Sequence, residues 1–572
     1  MIKVYFPPAS SSAVEPSGEP ATQFALPVVP DVVLQRHGAR VLRADDAARV
    51  IDAPPPKPTV YRYGILLIPE NRLRQGVIDV LNAAIADLRM QLVPPPPLEE
   101  LIPGARDSKA FATLPRPVEI QPRDSFLAGA VDGWTVLQRL RAVAKDTRPP
   151  DAKNTRAGLP DTEQATADNL WQWIGELSLD HLLVGSAVDG AGSAVIVGAN
   201  TASHGSPDVA DLFNRPQFGT SGRVPVNVVL GTPDRPPMGA KARRRAVVAV
   251  LDTGVARHPA HPWLSPMVER GRPRYKDAVV LWDQDIQDTI KKAAQLASGA
   301  PRVPIEGVDD DPYIEEPLVG ELSTHAGHGT FIAGIIRQLA PSAQVLAIRV
   351  MHPDGFAHEA DLTVALTYLV DEVHKAQRGK AALPVDIVSL SLGYFHESDA
   401  ERAVTSRLEP LLKELTDAGV IVVAAAGNFS TSRPFYPAAL SPDLAAANPK
   451  AAPLISVGAL NPNDTTAMFS NEAPWVNCYA SGVALISTFP IAFRGSWQPP
   501  AKTGRRESFD VDNFTSGYAS WSGTSFATPV VAGLLAADLG SDAGSYDDKP
   551  VQRANRARKS WESLQKSSLY AI

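Results

Sequence analysis

From Ala246 to about residue 460 the chain alternates unbroken apolar runs of strand length with segments of helical periodicity. The runs are AVVAVLD (246–252), VLAIRV (345–350), VDIVSLSL (385–392), VIVVAAAG (420–427) and LISVGAL (454–460), and helices are predicted over 328–340, 359–377 and 400–418. A strand apolar on both faces belongs in a parallel sheet covered by helices. The pattern therefore predicts an α/β fold, a doubly wound parallel sheet with right-handed crossovers.

The first half has a different texture. Residues 1–60 are rich in Pro, Ser and Ala, with PPP at 54–56, and read as a partly disordered tail with short ordered pieces. YRYGILLIP (61–69) predicts a strand, and 73–92 predicts a helix whose Val77, Val80, Leu81, Ala84 and Leu88 share one face. PPPP at 94–97 stops it. Two more helices are predicted over 131–144 and 168–183, and RVPVNVVLG (223–231) predicts a strand. The organisation expected is the tail, an additional α+β N-terminal region at 61–240, the α/β domain at 241–540, and a polar C-terminal helix or arm at 541–572. No repeat at solenoid spacing is visible.

Composition narrows the class without naming a function. With 572 residues the chain has material for more than one core, and 44% hydrophobic with 20% charged residues is the balance of an ordinary folded protein. A formal charge of −7 gives no electrostatic reason to expect nucleic acid or an anionic membrane as partner. Cys478 is the sole cysteine, so no intramolecular disulfide can form, and its simplest role is a small buried apolar residue. The opening MIKVYFPPASSSAVEPSGEP lacks the apolar core of a secretory signal, and no run is long enough to span a bilayer. A cytoplasmic location is the resulting expectation.

Three segments carry candidate chemistry. Asp252 follows AVVAVL at the end of a predicted strand, where an α/β sheet exposes reactive groups; alone, it would serve equally as a turn or cap residue. His328 in HAGHGTFIAGII stands at a predicted helix start beside glycine, where one ring nitrogen can be oriented while the other acts as base. His325 competes with it, but an HxxH metal site of the zincin kind needs a glutamate where this chain has Ala326. Ser525 in SGTSFATPVVAGLLA opens another helix, with small neighbours around its hydroxyl, free N–H groups nearby and Pro529 expected in the first turn.

Together LDTGV, GHGTFIAG and SGTSFATP, in the order Asp, His, Ser, resemble the subtilisin-like (subtilase) serine peptidases. The resemblance implies a serine endopeptidase working through an acyl-enzyme, with Ser525 as nucleophile, His328 as base and Asp252 orienting the imidazole. It implies further that Asn428 of AAAGN is an oxyanion-hole donor. Ser391, Leu392 and Gly393 would form the strand flanking the primary substrate pocket, and Ala425, Ala426 and Gly427 its opposite wall. The small residues suggest an open pocket, and the substrate implied is a polypeptide bound as an added β-strand. No cofactor is required for that chemistry.

The chain also departs from a compact member of that family. Asp252 and His328 are 76 positions apart and His328 and Ser525 are 197, which implies inserted loops at roughly 265–322 and 490–516. Asp309, Asp310 and Asp311 lie in the first, where they either help hold a structural calcium or form a solvated acidic loop. Lys241, Arg243, Arg244 and Arg245 form either a solvated linker or a cleavage site. Residues 61–231 read as a module that restrains the enzyme or binds a protein partner. A catalytically silent binding module is the rival reading. An esterase or ligase on the same acyl-enzyme chemistry is a third.

Overall fold

The computed structural model describes residues 2–7, 29–48, 54–123, 131–147, 170–187, 222–237, 244–257, 261–264, 268–269, 278–298, 305, 314–316, 321–379, 385–398, 407–540 and 549–567, except 46, 104, 106, 107, 230, 232, 262 and 497. Among these residues the largest sheet has nine strands, in the order Val4–Tyr5, Cys478–Ser481, Leu454–Leu460, Ile421–Ala425, Ile387–Leu390, Val247–Asp252, Gln344–Arg349, Val280–Trp282 and Val268–Glu269. Val4–Tyr5 is antiparallel to its neighbour, and every other pairing is parallel. The tail at 1–60 thus supplies an edge strand to this sheet.

Both faces of the sheet are buried, as the apolar runs require. In Val247–Asp252, Val247, Ala249 and Leu251 enter one core with the helices Glu359–Gln377 and Leu408–Asp417. Val248 and Val250 enter the other, with His328–Leu339 and Thr524–Gly540. This alternation is the period-two geometry of a strand sandwiched between helix layers. The polar C-terminal segment forms the helix Pro550–Ser567, which buries Ala554 and Ala557 and packs its Trp561 against Phe6. No helix among the described residues is long and apolar enough to cross a membrane.

A second, antiparallel sheet is built mainly from the first half of the chain. Its order is Phe356–His358, Ser178–Gly185, Thr59–Pro69, Pro115–Pro122 and Met90–Val93, with Ala39–Leu42 beside Thr59–Pro69 and Leu392–Gly393 beside Ser178–Gly185. Gln75–Ala84 and Gly133–Thr147 cover it, burying Val77, Ile78, Leu81, Trp134, Leu137 and Leu140 with strand residues such as Leu66, Ile68 and Val118. Two of its strands, Phe356–His358 and Leu392–Gly393, come from the α/β half, so this sheet bridges the two halves of the protein.

Three sequence expectations change here. The helix expected over 73–92 ends at Ala84; Arg89, at φ 55°, reverses the chain into the strand Met90–Val93. The segment expected as a helix over 168–183 is, among its described residues, helical only at Leu170–Ile174 and then becomes the fully buried strand Ser178–Gly185. Apolar residues on every side suit a strand with partners on both edges, so tertiary pairing overrides the helical reading. Among the described residues of 223–231, only Val224–Pro225 is a strand. The expected helix at 400–418 is present as Leu408–Asp417, its first part falling outside the described residues.

Candidate active site

Asp252 is the last residue of its strand, at the carboxyl edge of the parallel sheet, and is 1% exposed. Its Oδ1 accepts from the Thr253 N–H at 2.7 Å, which fixes the carboxylate plane. His328 opens the helix His328–Leu339, and its Nδ1 lies 2.8 and 2.9 Å from the two Asp252 oxygens. The close approach needs glycine at 329, where a Cβ would sit 2.0 Å from the Gly254 carbonyl oxygen. With Nδ1 donating to Asp252, Nε2 carries the lone pair; it is buried and makes no hydrogen bond.

Ser525 is the second residue of the helix Thr524–Gly540 and is fully buried. Its Oγ donates to the Ser391 carbonyl oxygen at 3.0 Å, so no hydrogen bond joins it to His328 Nε2. The expectation for Pro529 is corrected: it lies inside the helix, beyond the first turn. Lacking an N–H, it leaves the Ser525 carbonyl without its helical donor. Ser391 Oγ takes that place, donating to the Ser525 oxygen at 2.9 Å. Each serine thus donates to the other's carbonyl.

Asn428 follows the strand Ile421–Ala425 through Ala426 and Gly427, both buried. Its Oδ1 accepts from the N–H of Thr524 at 3.0 Å and from its hydroxyl at 2.8 Å, which fixes the amide with Nδ2 pointing away. Gly427 N–H donates to Thr524 Oγ1 at 3.2 Å, and its φ of 101° suits glycine. Ala426 N–H donates to the Val457 carbonyl at 2.9 Å, tying this wall to the next strand.

The cleft between these elements is filled by the protein's own chain. The end of Ser178–Gly185 runs antiparallel between two strands, pairing Leu182, Leu183 and Val184 with His358, Ala357 and Phe356 on one side. On the other it pairs Val184 and Gly185 with Gly393 and Leu392. Gly185 N–H donates to the Gly355 carbonyl at 2.8 Å and Ser186 N–H to the Ser391 carbonyl at 3.0 Å. The Ser186 carbonyl oxygen accepts from Ser525 N–H at 2.9 Å and from Asn428 Nδ2 at 2.6 Å. The Ser186 carbonyl thus lies between the backbone of Ser525 and the side chain of Asn428.

Two side chains that the sequence reading did not assign shape this cleft. A Cβ on Gly393 would lie 2.4 Å from the Phe435 ring and one on Gly427 would lie 3.0 Å from it, so the buried ring occupies the space between the two predicted pocket walls. The open pocket expected from small residues is thereby corrected to a shallow one, and Ser186, whose Oγ makes no hydrogen bond, is the small side chain beside it. His325, weighed above only as a rival to His328, walls the neighbouring position. A Cβ on Gly185 would meet its ring at 2.7 Å and the Met351 sulfur at 3.1 Å. Burial, then the nearby His328 and Arg223, push the His325 pKa well below the usual histidine range, so it stays neutral.

Other predicted features resolve differently. Asp309, Asp310, Asp311, Lys241 and Arg243 lie outside the described residues. Arg244 does not belong to a solvated linker: it is buried and forks onto both carboxylate oxygens of Asp386 at 2.5 Å. Cys478 is buried in the strand Cys478–Ser481, where desolvation raises its thiol pKa and keeps it unreactive.

The family model described as "Subtilase family" matches residues 243–549. The chain is similar to the Thermophilic serine proteinase of Bacillus sp. (strain AK1), at 32% identity over 36% of this chain and 41% of that protein. It is similar to Thermitase of Thermoactinomyces vulgaris at 31% identity over 36% of this chain and 59% of that protein. For Subtilisin BL of Lederbergia lenta the figures are 29% identity, 44% and 77%. The chain thus spans less than two thirds of the length of the first two relatives.

Proposed function

The chain belongs to the subtilase family, and from that premise we propose that it is a serine endopeptidase whose N-terminal region occupies its own active-site cleft as a first substrate. The observation that carries the reading is the Ser186 carbonyl oxygen, held by Ser525 N–H at 2.9 Å and Asn428 Nδ2 at 2.6 Å. Two donors on one carbonyl oxygen, beside a serine, an imidazole and a carboxylate, is the arrangement that stabilises charge developing on an acyl oxygen.

In this reading Ser525 Oγ turns from the Ser391 carbonyl toward His328 Nε2, gives up its proton there and attacks the Ser186 carbonyl carbon. Asp252 holds the tautomer and stabilises the imidazolium, while Asn428 and the Ser525 N–H take the oxyanion. The tetrahedral intermediate collapses as His328 returns the proton to the Ala187 nitrogen, leaving Ser186 esterified to Ser525. A water deprotonated by His328 then releases the Ser186 carboxylate.

The same geometry supports a substrate preference. Phe435 limits the acyl-side residue to a small side chain, His325 and Met351 favour glycine before it, and a pocket holding the buried Leu183 accepts a branched apolar residue two positions further back. Until the strand leaves, the cleft is closed to other polypeptides, so the N-terminal region acts as a restraint. Fluorophosphonate labelling of Ser525, with Ser525→Ala as control, tests the nucleophile. Intact-mass analysis of the wild-type chain should find fragments ending at Ser186 and beginning at Ala187, absent from Ser525→Ala. Labelling that persists in Ser525→Ala, or cleavage elsewhere only, would refute the assignment.

A further inference from the structure

Three buried histidines meet where the N-terminal region touches the rim of the cleft. His37 is the last residue of the helix Asp31–His37, whose cap Gly38 adopts the left-handed conformation and turns the chain into Ala39–Leu42. His352 and His358 come from the α/β half, on either side of a tight turn closed by Gly355 N–H to His352 O at 2.9 Å and His352 N–H to Phe356 O at 2.8 Å. All three side chains are at most 3% exposed, and one ring nitrogen of each lies within 4.8 Å of the others.

The outer nitrogens explain what the inner ones need. His37 Nε2 lies 3.0 Å from Asp354 Oδ2, and His358 Nδ1 lies 3.5 Å from Asp361 Oδ2. Each of those nitrogens is turned to a carboxylate, which leaves the other nitrogen of each ring on the inner side of the cluster. These inner nitrogens, His37 Nδ1 and His358 Nε2, face each other at 2.9 Å. A contact this short is held either by one proton shared between the two rings or by a cation bound to both. A carboxylate behind each imidazole is also the outer shell that orients histidines on a transition-metal ion. Three imidazole nitrogens form a donor set suited to zinc, with a fourth position left for water, and Asp361, together with an Asp354 shared with Arg36 at 2.7 Å, offsets part of the charge of a buried dication.

We propose that His37, His352 and His358 bind a zinc-class divalent ion that fastens the N-terminal region to the cleft rim. His358 is the residue paired with Leu182 of the inserted strand, so the ion would lie next to the segment held in the cleft. One ligand from the N-terminal region and two from the α/β half make the site complete only while the two are docked. The locking consequence rests on the restraint proposed above; the binding itself does not.

The test uses the full-length Ser525→Ala chain, which cannot cut itself, so its outcome is independent of whether the enzyme reading is right. Native mass spectrometry with micromolar ZnCl2 should find one ion per chain, released by chelator, and CoCl2 should give the intense visible absorption of a tetrahedral nitrogen site. Adding His37→Gln or His358→Gln should weaken zinc binding by at least the roughly 10–100-fold that loss of an outer-shell partner costs, whereas His374→Gln on the outer helix should not. Zinc should raise the melting temperature of the Ser525→Ala chain and leave that of the His37→Gln double variant unchanged. No retained ion, or equal retention in the His37 and His358 variants, overturns the proposal. Should those variants not fold, the cobalt spectrum of the Ser525→Ala chain decides it alone, an octahedral or absent spectrum counting against.

Discussion

Ser525 and Ser391 each donate a hydroxyl proton to the other's carbonyl, a pairing that turns the hydroxyl of the proposed nucleophile away from His328 Nε2. Ser525→Ala is expected to lower kcat by about 10⁶-fold and Asn428→Ala by about 10²–10³-fold, magnitudes taken from a subtilisin. Steady-state cleavage of a peptide bearing Leu-Val-Gly-Ser at the scissile bond, with circular dichroism to confirm folding, measures both. In the sequence Asp252, His328 and Ser525 stood out by their places at a predicted strand end and two predicted helix starts, and Asn428 only through the resemblance to subtilases; the structure brings the four together. Phe435 was not legible in the sequence, since its ring reaches Gly393 and Gly427 only through the fold. Phe435→Ala should shift preference at the acyl side from Ser or Ala toward Leu or Phe, at a stability cost of about 3–5 kcal/mol. A peptide series varied at that one position reads the shift; an unchanged ranking would remove Phe435 from the pocket.

The strand Ser178–Gly185 is the element that sequence periodicity misread, and the one on which the proposed restraint turns. Its apolar residues crowd every side because its first half pairs with Thr59–Pro69 and its second half lies between Phe356–His358 and Leu392–Gly393. Such pairing is non-local and leaves no signal at helical or alternating spacing; the available hint was the small Gly-Ser-Ala at its end. The five core strands were legible because burial on both faces writes itself into a continuous apolar run. Within the cleft strand, His181 donates between Glu359 at 2.6 Å and Glu397 at 2.8 Å, stacked on Tyr394 and near His396. Burial alone would lower its pKa, but the Glu359 and Glu397 charges outweigh that and raise it to about 10. A raised pKa in the docked state means the contribution is full below the ordinary histidine value and is lost as pH climbs through about 10. Neighbouring His396 is pushed down to about 4 by burial and does not titrate in that window. The melting temperature of the Ser525→Ala chain should therefore fall between pH 7 and 10. In the His181→Gln double variant the fall should be smaller. Parallel slopes would assign the pH dependence to other groups.

At the scale of the whole molecule, the long N-terminal region is joined to the α/β half by contacts that do not involve the proposed catalytic residues. Asp180 pairs with Arg62 at 2.9 Å and also accepts from Ala360 N–H at 3.1 Å, placing a carboxylate at the positive end of the helix Glu359–Gln377. Ser108 Oγ donates to Asp371 on that helix at 2.8 Å, and Arg116 Nε to the Ala293 carbonyl at 3.2 Å. Cutting between Ser186 and Ala187 would break none of these, so cleavage and release are separate steps. The two fragments of a wild-type preparation should accordingly co-elute until the docking surface is weakened. Leu183 is the lever: it is fully buried beside Ala357, it lies away from Asp252, His328, Ser525 and Asn428, and burying it contributes about 1.5–3 kcal/mol. Leu183→Asp adds to that loss the cost of an unpaired buried carboxylate, which is relieved only by leaving the cleft. The variant should label with a fluorophosphonate faster than the wild-type chain and hydrolyse an added peptide without delay, its helical content unchanged. If labelling and peptide turnover match the wild type, the N-terminal region does not restrain the enzyme through this strand.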